Sequence, residues 1–305
     1  LRSVVMARWR NAAVGVGVVA VALAAGSGAA PAAPPGASWT EYLAALPSPS
    51  QTHPNRIAHC RRAKLKCVRV EIRRMRRLQQ RLGCDHRAVF ATTYLELTRT
   101  AFDALVADPQ LPRFKRFFFR EDALFANVYF RTVRRWEQGR EVPEAWRIAF
   151  ETAESGEVLG SQDMLLGINA HVQNDMPFVL AQLGLRDRKG HSRKVDHDRF
   201  NEVLAAGYER VVAAVRDRYD PSVGVTNPPG VPADNVAGLE LVREWREQVW
   251  RNAERLVNAE SDAERQAVAD DIEAYAGDYA RGIAATQSPG YRAQRDAYCE
   301  QQLGG

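Results

Sequence analysis

The stretch GINAHVQNDMPFVLAQLG, residues 167–184, predicts a helix that carries an aspartate on its own apolar side. Successive residues of a helix turn by about 100°, which places Asp175 within about 20° of Ile168, at the centre of the apolar face. His171 lies one turn before Asp175 and is therefore its neighbour on the helix surface. A buried carboxylate is costly unless it is paired, protonated or bound to a cation, so we expect Asp175 to have a partner.

The helical period recurs through most of the chain, and no segment shows the alternation typical of a β-strand. The sequence therefore predicts an all-α fold, a single-domain bundle of about eight helices within residues 51–305. The third of these helices is expected at about residues 121–138. The proline-rich residues 220–235 predict a long loop, and Pro177 predicts a kink just after Asp175.

The first thirty residues differ in composition from the rest of the chain. Arg8 and Arg10 precede an apolar run at residues 12–25, and small residues follow it. This order is typical of a secretory signal peptide, and we assign residues 1–30 to it and residues 31–50 to a flexible linker. The sequence thus predicts a secreted or cell-envelope protein, with an uncleaved anchor as the open alternative.

Four cysteines agree with export, because an even number of cysteines in an exported protein is typical of disulfides. They allow three pairings, of which we favour Cys60 with Cys67 and Cys84 with Cys299. In a continuous helix Cys60 and Cys67 would lie roughly 10 Å apart, too far for a disulfide, so their pairing requires a turn between them. One disulfide with two free thiols remains the alternative.

A basic segment at residues 61–81 holds ten Lys or Arg residues and a single Glu. Beneath these charges runs an apolar stripe at helical spacing: Val68, Ile72, Met75, Leu78 and Leu82. This combination favours a solvated helix face, and contact with an anionic surface is the alternative. No aromatic residues are interleaved with the basic ones, so the segment does not predict nucleic-acid binding.

A later helix repeats the pattern of a histidine and an oxygen-bearing side chain on an apolar face. With Leu204 at the centre of that face, His197 lies within about 20° and Asn201 within about 60°. Two helices would therefore each present a histidine and, four residues later, an oxygen ligand to the interior. Neutral imidazoles and carboxylates are ligands that Zn²⁺ or a similar divalent ion prefers.

The predicted metal ligands are accordingly four: His171, Asp175, His197 and Asn201. His86 and Asp122 lie on the apolar faces of two earlier helices, and we assign them as a further ligand or a general base, with Glu121 as an adjunct. Such a site would activate a bound water for hydrolysis.

A structural interpretation stands beside the metal site. Asp175 paired with His197, or with an arginine or tyrosine of a neighbouring helix, would form a stabilising polar network in a non-catalytic binding or structural module. Fingerprints of dinucleotide-binding and P-loop folds and of serine-nucleophile elbows are absent from the sequence. The partners, whether a small molecule, a lipid or another protein, are not fixed by the sequence.

Four strings carry a resemblance to known proteins: CDHRAVF from Cys84, WRIAF from Trp146, LLGINAHVQNDMPF from Leu165 and DHDRFN from Asp196. They resemble a family of secreted bacterial helical proteins of unknown function, over about residues 48–299. That resemblance implies an all-helical fold and no particular activity.

A second, local resemblance concerns the string LGINAHVQNDMP, which begins at Leu166. It is similar to a helix of the zinc-dependent phospholipases C and the P1-type nucleases, in which His and Asp at this spacing bind zinc. The resemblance implies that His171 and Asp175 are zinc ligands in a hydrolase of phosphoesters. His197 with Asn201 is the nearest match to that family's later His and acidic pair, and it departs at the last ligand.

Overall fold

The computed structural model describes residues 57–224 and 233–304, and within the second range the side chains from residue 238 onward. These residues form ten α-helices and no strand: α1 (Lys66–Leu82), α2 (Arg87–Ala107), α3 (Lys115–Glu137), α4 (Glu144–Ser155), α5 (Gly160–Asn169), α6 (Met176–Leu183), α7 (Lys194–Arg218), α8 (Ala233–Asn258), α9 (Asp262–Ala284) and α10 (Tyr291–Leu303). A π-helical turn, Ala170–Asp175, joins α5 to α6. The all-α prediction is confirmed.

Helix boundaries follow from local chemistry. Gly83 and Gly156 end α1 and α4 with positive φ angles of 55° and 65°, which glycine adopts without strain. Helix α3 begins at Lys115, six residues before the predicted start. The prediction missed its first turns because three consecutive phenylalanines there, Phe117, Phe118 and Phe119, are all buried and show no helical period. The carboxylate of Asp196 accepts hydrogen bonds from the backbone amides of residues 113 and 114 at 2.8 and 2.6 Å, which holds the start of α3 against α7.

Helix α2 lies at the centre of the bundle and packs against α1, α5 and α7. Helix α5 approaches it closely at Gly167, where a Cβ atom would lie 2.2 Å from Cγ of Phe90. Large aromatic side chains fill the interior, among them Trp146, Tyr129 and Trp250, each almost fully buried. Helices α4 and α9, and α6 and α8, form the other main contacts.

Both favoured disulfides are present. Cys60 and Cys67 are joined across a turn with a Cα–Cα distance of 5.2 Å, and Ala63 in that turn has a φ of 45°. Cys84, between α1 and α2, is joined to Cys299 of α10. The chain therefore turns between the first two cysteines, as their pairing required, and no described cysteine is free.

Helix α1 buries its apolar stripe and exposes its cations. Val68 and Met75 are fully buried, whereas Arg73, Arg76 and Arg77 are exposed. Among the described helices none is long and apolar enough to span a bilayer. The predicted signal peptide and linker lie outside the described residues, as do residues 225–232, half of the predicted proline-rich loop. The end of that loop prediction is wrong, because residues 233–235 belong to α8.

Candidate functional site

The π-helical turn places the quoted histidine and aspartate inside the bundle. Pro177 has no amide hydrogen and cannot donate to the carbonyl of Gln173, four residues earlier. The helix widens into a π-helical turn over Ala170–Asp175, just before this proline. Both His171 and Asp175 are buried, the aspartate completely.

Asp175 is held by three side chains that surround its carboxylate. Oδ2 accepts hydrogen bonds from Nε1–H of Trp146 and from Nδ1 of His171, both at 2.9 Å. Oδ1 accepts a hydrogen bond from the amide nitrogen of Asn174 at 2.8 Å. Asp175 thus has the partners that its burial required. Two of them, His171 and Asn174, lie in the same turn, and the third, Trp146, lies on α4.

His171 lies in an aromatic cage and keeps one ring nitrogen without a partner. Its ring stacks on Phe125 at a centroid distance of 3.5 Å and lies 4.8 Å from the ring of Tyr94. Burial lowers the pKa of His171, and the hydrogen bond to Asp175 opposes that shift. Nε2 is buried and has no hydrogen-bond partner.

His197 and Asn201 are bound to Arg246 of α8 and not to the first pair. Nε2 of His197 donates to the backbone carbonyl of Arg246 at 2.9 Å, while the Arg246 guanidinium donates to the His197 carbonyl and, at 2.7 Å, to Oδ1 of Asn201. Burial, followed by the charge of Arg246, places the pKa of His197 well below its usual value. Its Nδ1 is buried without a partner.

A cavity of about 340 Å³ opens between α2, α3, α5, the π-helical turn, α6, α7 and α8. His171 and His197 both line it, as do Glu121 and Asp122, whereas Asp175, Asn201 and His86 do not. The rest of its wall is mainly apolar and includes Tyr94, Leu97, Phe125, Met164, Leu204 and Val242. The structure thus brings part of the predicted site together around an apolar space.

Acidic and phenolic groups of this wall are shifted toward their neutral forms. Burial raises the pKa of Glu121 to about 7, and the charge of Arg246 opposes the shift. Burial, reinforced by Glu71 and Glu121, raises the pKa of Asp122 well above its usual value. The pKa of Tyr94 is also raised, first by burial and next by Asp122. The hydroxyl of Tyr94 and Oδ2 of Asp122 are buried without a hydrogen-bond partner.

His86 belongs to a different cluster, next to the Cys84–Cys299 disulfide. Its Nδ1 contacts Oδ2 of Asp163 at 2.8 Å, and its Nε2 lies 3.4 Å from Oδ1 of Asp296. His86 was predicted as a further metal ligand or a general base, and the structure places it outside the cavity that His171, His197 and Asp122 line.

A divalent metal was the cofactor expected from the sequence. Across residues 57–224 and 233–304, no group of three or more His, Cys, Asp and Glu side chains is arranged to hold a metal ion. The carboxylate of Asp175 is committed to three donors, and Nδ1 of His171 is committed to that carboxylate. The donor set does not fit a multi-ligand metal centre.

The sequence interpretation did not identify Trp146, Tyr94 or Arg246 as parts of the site. The sequence pattern does mark Arg246 as unusual, since it lies on the same helix face as Val242 and Val249 and an arginine is rare on an apolar face. It does not mark Trp146 or Tyr94, because aromatic residues on an apolar face are ordinary core residues.

The comparison with family models gives one match, to a family of unknown function (DUF5995), over residues 68–286. The match covers well over half of the chain. The chain belongs to this family. No curated protein and no solved structure matches it, and the local resemblance to zinc-dependent phospholipases and nucleases therefore receives no support.

Proposed function

We propose that this protein is a non-catalytic binding module that encloses one mainly apolar small molecule in the cavity between α2, α3, α7 and α8. The cavity itself supports the proposal: about 340 Å³ of space bounded mainly by apolar side chains from α2, α3, α5, the π-helical turn, α6, α7 and α8. Ligand sites in proteins are typically apolar concavities of about 300–1,000 Å³ with a few polar groups. The cavity has that size and that composition.

A ligand in this cavity would gain from contact with the apolar side chains of Phe125, Leu204 and Val242. Because it would bind only the folded chain, it would stabilise the fold by an amount that grows with its concentration relative to its dissociation constant.

The place of action that fits this module is outside the cytoplasm. Two disulfides are typical of proteins that fold in an oxidising compartment. The signal-like segment at residues 1–30 supports export on sequence grounds. An exported helical protein that encloses an apolar molecule would shield it from water.

A cavity-filling substitution tests the proposal. Leu204 lines the cavity from α7, and Ala206 lies on the exposed side of the same helix. With the neutral probe N-phenyl-1-naphthylamine, we expect saturable fluorescence enhancement at one site per chain in the wild type and in Ala206→Trp. In Leu204→Trp we expect the affinity to fall at least tenfold, because the indole occupies the space.

The thermal unfolding of each variant, measured without probe, establishes that it folds. Leu204→Trp should unfold at or above the wild-type temperature, since it fills a void. The proposal is overturned if the wild type does not bind the probe, or if a folded Leu204→Trp binds it as well as Ala206→Trp does.

The hydrolase interpretation rests on one observation. His171 is oriented by Asp175 and presents an unpartnered Nε2 at the cavity, which is how a general base is held. Metal-dependent hydrolysis would further require a bound ion. Elemental analysis of protein purified without a histidine tag should find far less than one metal per chain, both in the wild type and in His171→Ala. One equivalent that is lost in the variant would favour the hydrolase instead.

A further inference from the structure

We propose that the ligand of this cavity is an apolar molecule with an uncharged hydroxyl group, an alcohol, whose oxygen lies between His171, Tyr94 and Asp122. This inference rests on the proposed binding function and names the chemistry of its ligand. Three buried polar atoms of these residues lack partners: Nε2 of His171, the Tyr94 hydroxyl and Oδ2 of Asp122. All three side chains line the cavity.

The tautomer of His171 is fixed by its neighbours. An indole N–H can only donate, so the Asp175 oxygen that it reaches is an acceptor, and the same oxygen faces Nδ1 of His171 at 2.9 Å. Nδ1 therefore carries the hydrogen, and the imidazole is neutral because burial lowers its pKa. Nε2 then presents a lone pair to the cavity and needs a donor.

A hydroxyl group satisfies this arrangement, since it donates one hydrogen and accepts on its lone pairs. Its hydrogen would be donated to Nε2 of His171. Its oxygen would accept from the Tyr94 hydroxyl, whose ring lies 4.8 Å from the imidazole, or from Asp122 in its protonated form. One alcohol would thus supply partners to groups that are costly to leave without them.

Charged head groups fit this end of the cavity less well. A carboxylate would have to leave water for a mainly apolar wall, and the lone pair on Nε2 of His171 would offer it no donor. The buried cation of the wall, Arg246, already donates to Asn201 and to the backbone of His197. An ammonium group would meet the lone pair of His171, but its binding would require Asp122 to ionise in a site that favours the neutral acid.

The experiment is a displacement series with three ten-carbon ligands: 1-decanol, decanoate and decylamine. Each competes with N-phenyl-1-naphthylamine at pH 7 for the wild type, for Tyr94→Phe and for the control Tyr275→Phe, whose tyrosine is exposed on α9. In the wild type and the control, decanol should displace the probe at a concentration at least fivefold lower than the other two ligands. One hydrogen bond is worth about 0.5–1.5 kcal/mol, so Tyr94→Phe should weaken decanol binding about two- to tenfold relative to probe binding measured in the same variant, whereas the control Tyr275→Phe should leave both affinities unchanged.

The variant is a mild one, because Tyr94→Phe removes a hydroxyl that has no partner, and its unfolding temperature should equal or exceed that of the wild type. If the probe binds and decanoate or decylamine competes as well as decanol, the alcohol assignment is wrong and the binding function stands. An unchanged decanol affinity in Tyr94→Phe, together with an unchanged affinity in Asp122→Asn, would also overturn it. If the wild type does not bind the probe, both proposals fail.

Discussion

Replacing Gly167 by alanine should destabilise the protein, although alanine favours helices. The added Cβ would lie 2.2 Å from Cγ and 2.6 Å from Cβ of Phe90. Rotation about the Cα–Cβ bond of Phe90 would move Cγ and relieve the first contact but not the second, because Cβ moves only with the backbone of α2. Phe90 is also fixed by Tyr129 and Trp146, whose ring centroids lie 5.2 and 5.6 Å away. The two helices must therefore separate.

The magnitude follows from two opposing effects. Overpacking a close-packed interior costs typically about 1–3 kcal/mol, and the contact at Gly167 belongs at the upper end because backbone must move. Replacing a helical glycine by alanine contributes about 0.5–1 kcal/mol in the favourable direction. We expect a net loss of about 2 kcal/mol in the free energy of unfolding for Gly167→Ala.

Gly282 provides the matched control. It lies in α9, and a Cβ there would meet nothing within 4 Å. Gly282→Ala should therefore stabilise the protein by up to about 1 kcal/mol. Urea unfolding followed by circular dichroism measures both variants, with the slope checked for constancy. Equal stabilities for Gly167→Ala and Gly282→Ala would refute the close approach of α2 and α5 on which the cavity geometry depends.

Three further predictions concern charge, hydrogen bonding and covalent links. Burial raises the pKa of Glu121 to about 7 in the folded protein, against a usual value of 4.5. Folding therefore takes up a proton between these pH values, and this residue destabilises the fold increasingly as pH rises through them. In urea unfolding, Glu121→Gln should gain stability relative to the wild type from pH 5 to pH 7.5, and a constant difference would contradict this. Trp146→Phe should cost about 1–3 kcal/mol in the same assay, because the carboxylate of Asp175 loses a donor while the aromatic packing remains; no loss would argue against that bond. The Cys84–Cys299 disulfide closes a loop with a sequence separation of 215, and removing both of its cysteines should lower the free energy of unfolding by about 5 kcal/mol. Removing Cys60 and Cys67, whose separation is seven, should lower it by about 2 kcal/mol. Thermal scans that rank the two variants in the opposite order would contradict the loop-entropy argument.

Periodicity predicted which side of each helix is buried, and the structure agrees for the residues on which the sequence argument depended. His171, Asp175 and His197 all face the interior, as their angular positions indicated. The two favoured disulfides are also formed. The buried face of a helix is a local property that the sequence carries directly, whereas an even cysteine count indicates disulfides and leaves three pairings open.

The partners of these residues could not be predicted, because an angle on one helix contains no distance to another. Asp175 binds an indole on α4, and His197 binds a backbone carbonyl 49 residues further along the chain. A carbonyl has no sequence signature, and a tryptophan on an apolar face is usually core. The cavity cannot be predicted from the sequence either, since it depends on the distances between side chains of different helices.

The sequence predicts the π-helical turn at Ala170–Asp175 only in part. Pro177 predicts an irregularity of the helix near Asp175, because it leaves the carbonyl of Gln173 without its usual donor. The π-helical turn itself is not predicted by the local pattern. The turn packs against α4, α8 and α9, and such non-local contacts cannot be read from the spacing of residues on one helix.

The disulfide between Cys84 and Cys299 has a practical consequence for recombinant expression of this protein. A recombinant fragment trimmed to the family match, residues 68–286, would omit Cys60, Cys67 and Cys299. It would also omit Arg295, whose guanidinium donates to the carbonyl of Cys84. Such a fragment would keep Cys84 as an unpaired thiol, able to form a disulfide between two copies, whereas in the intact chain Cys84 is bonded to Cys299.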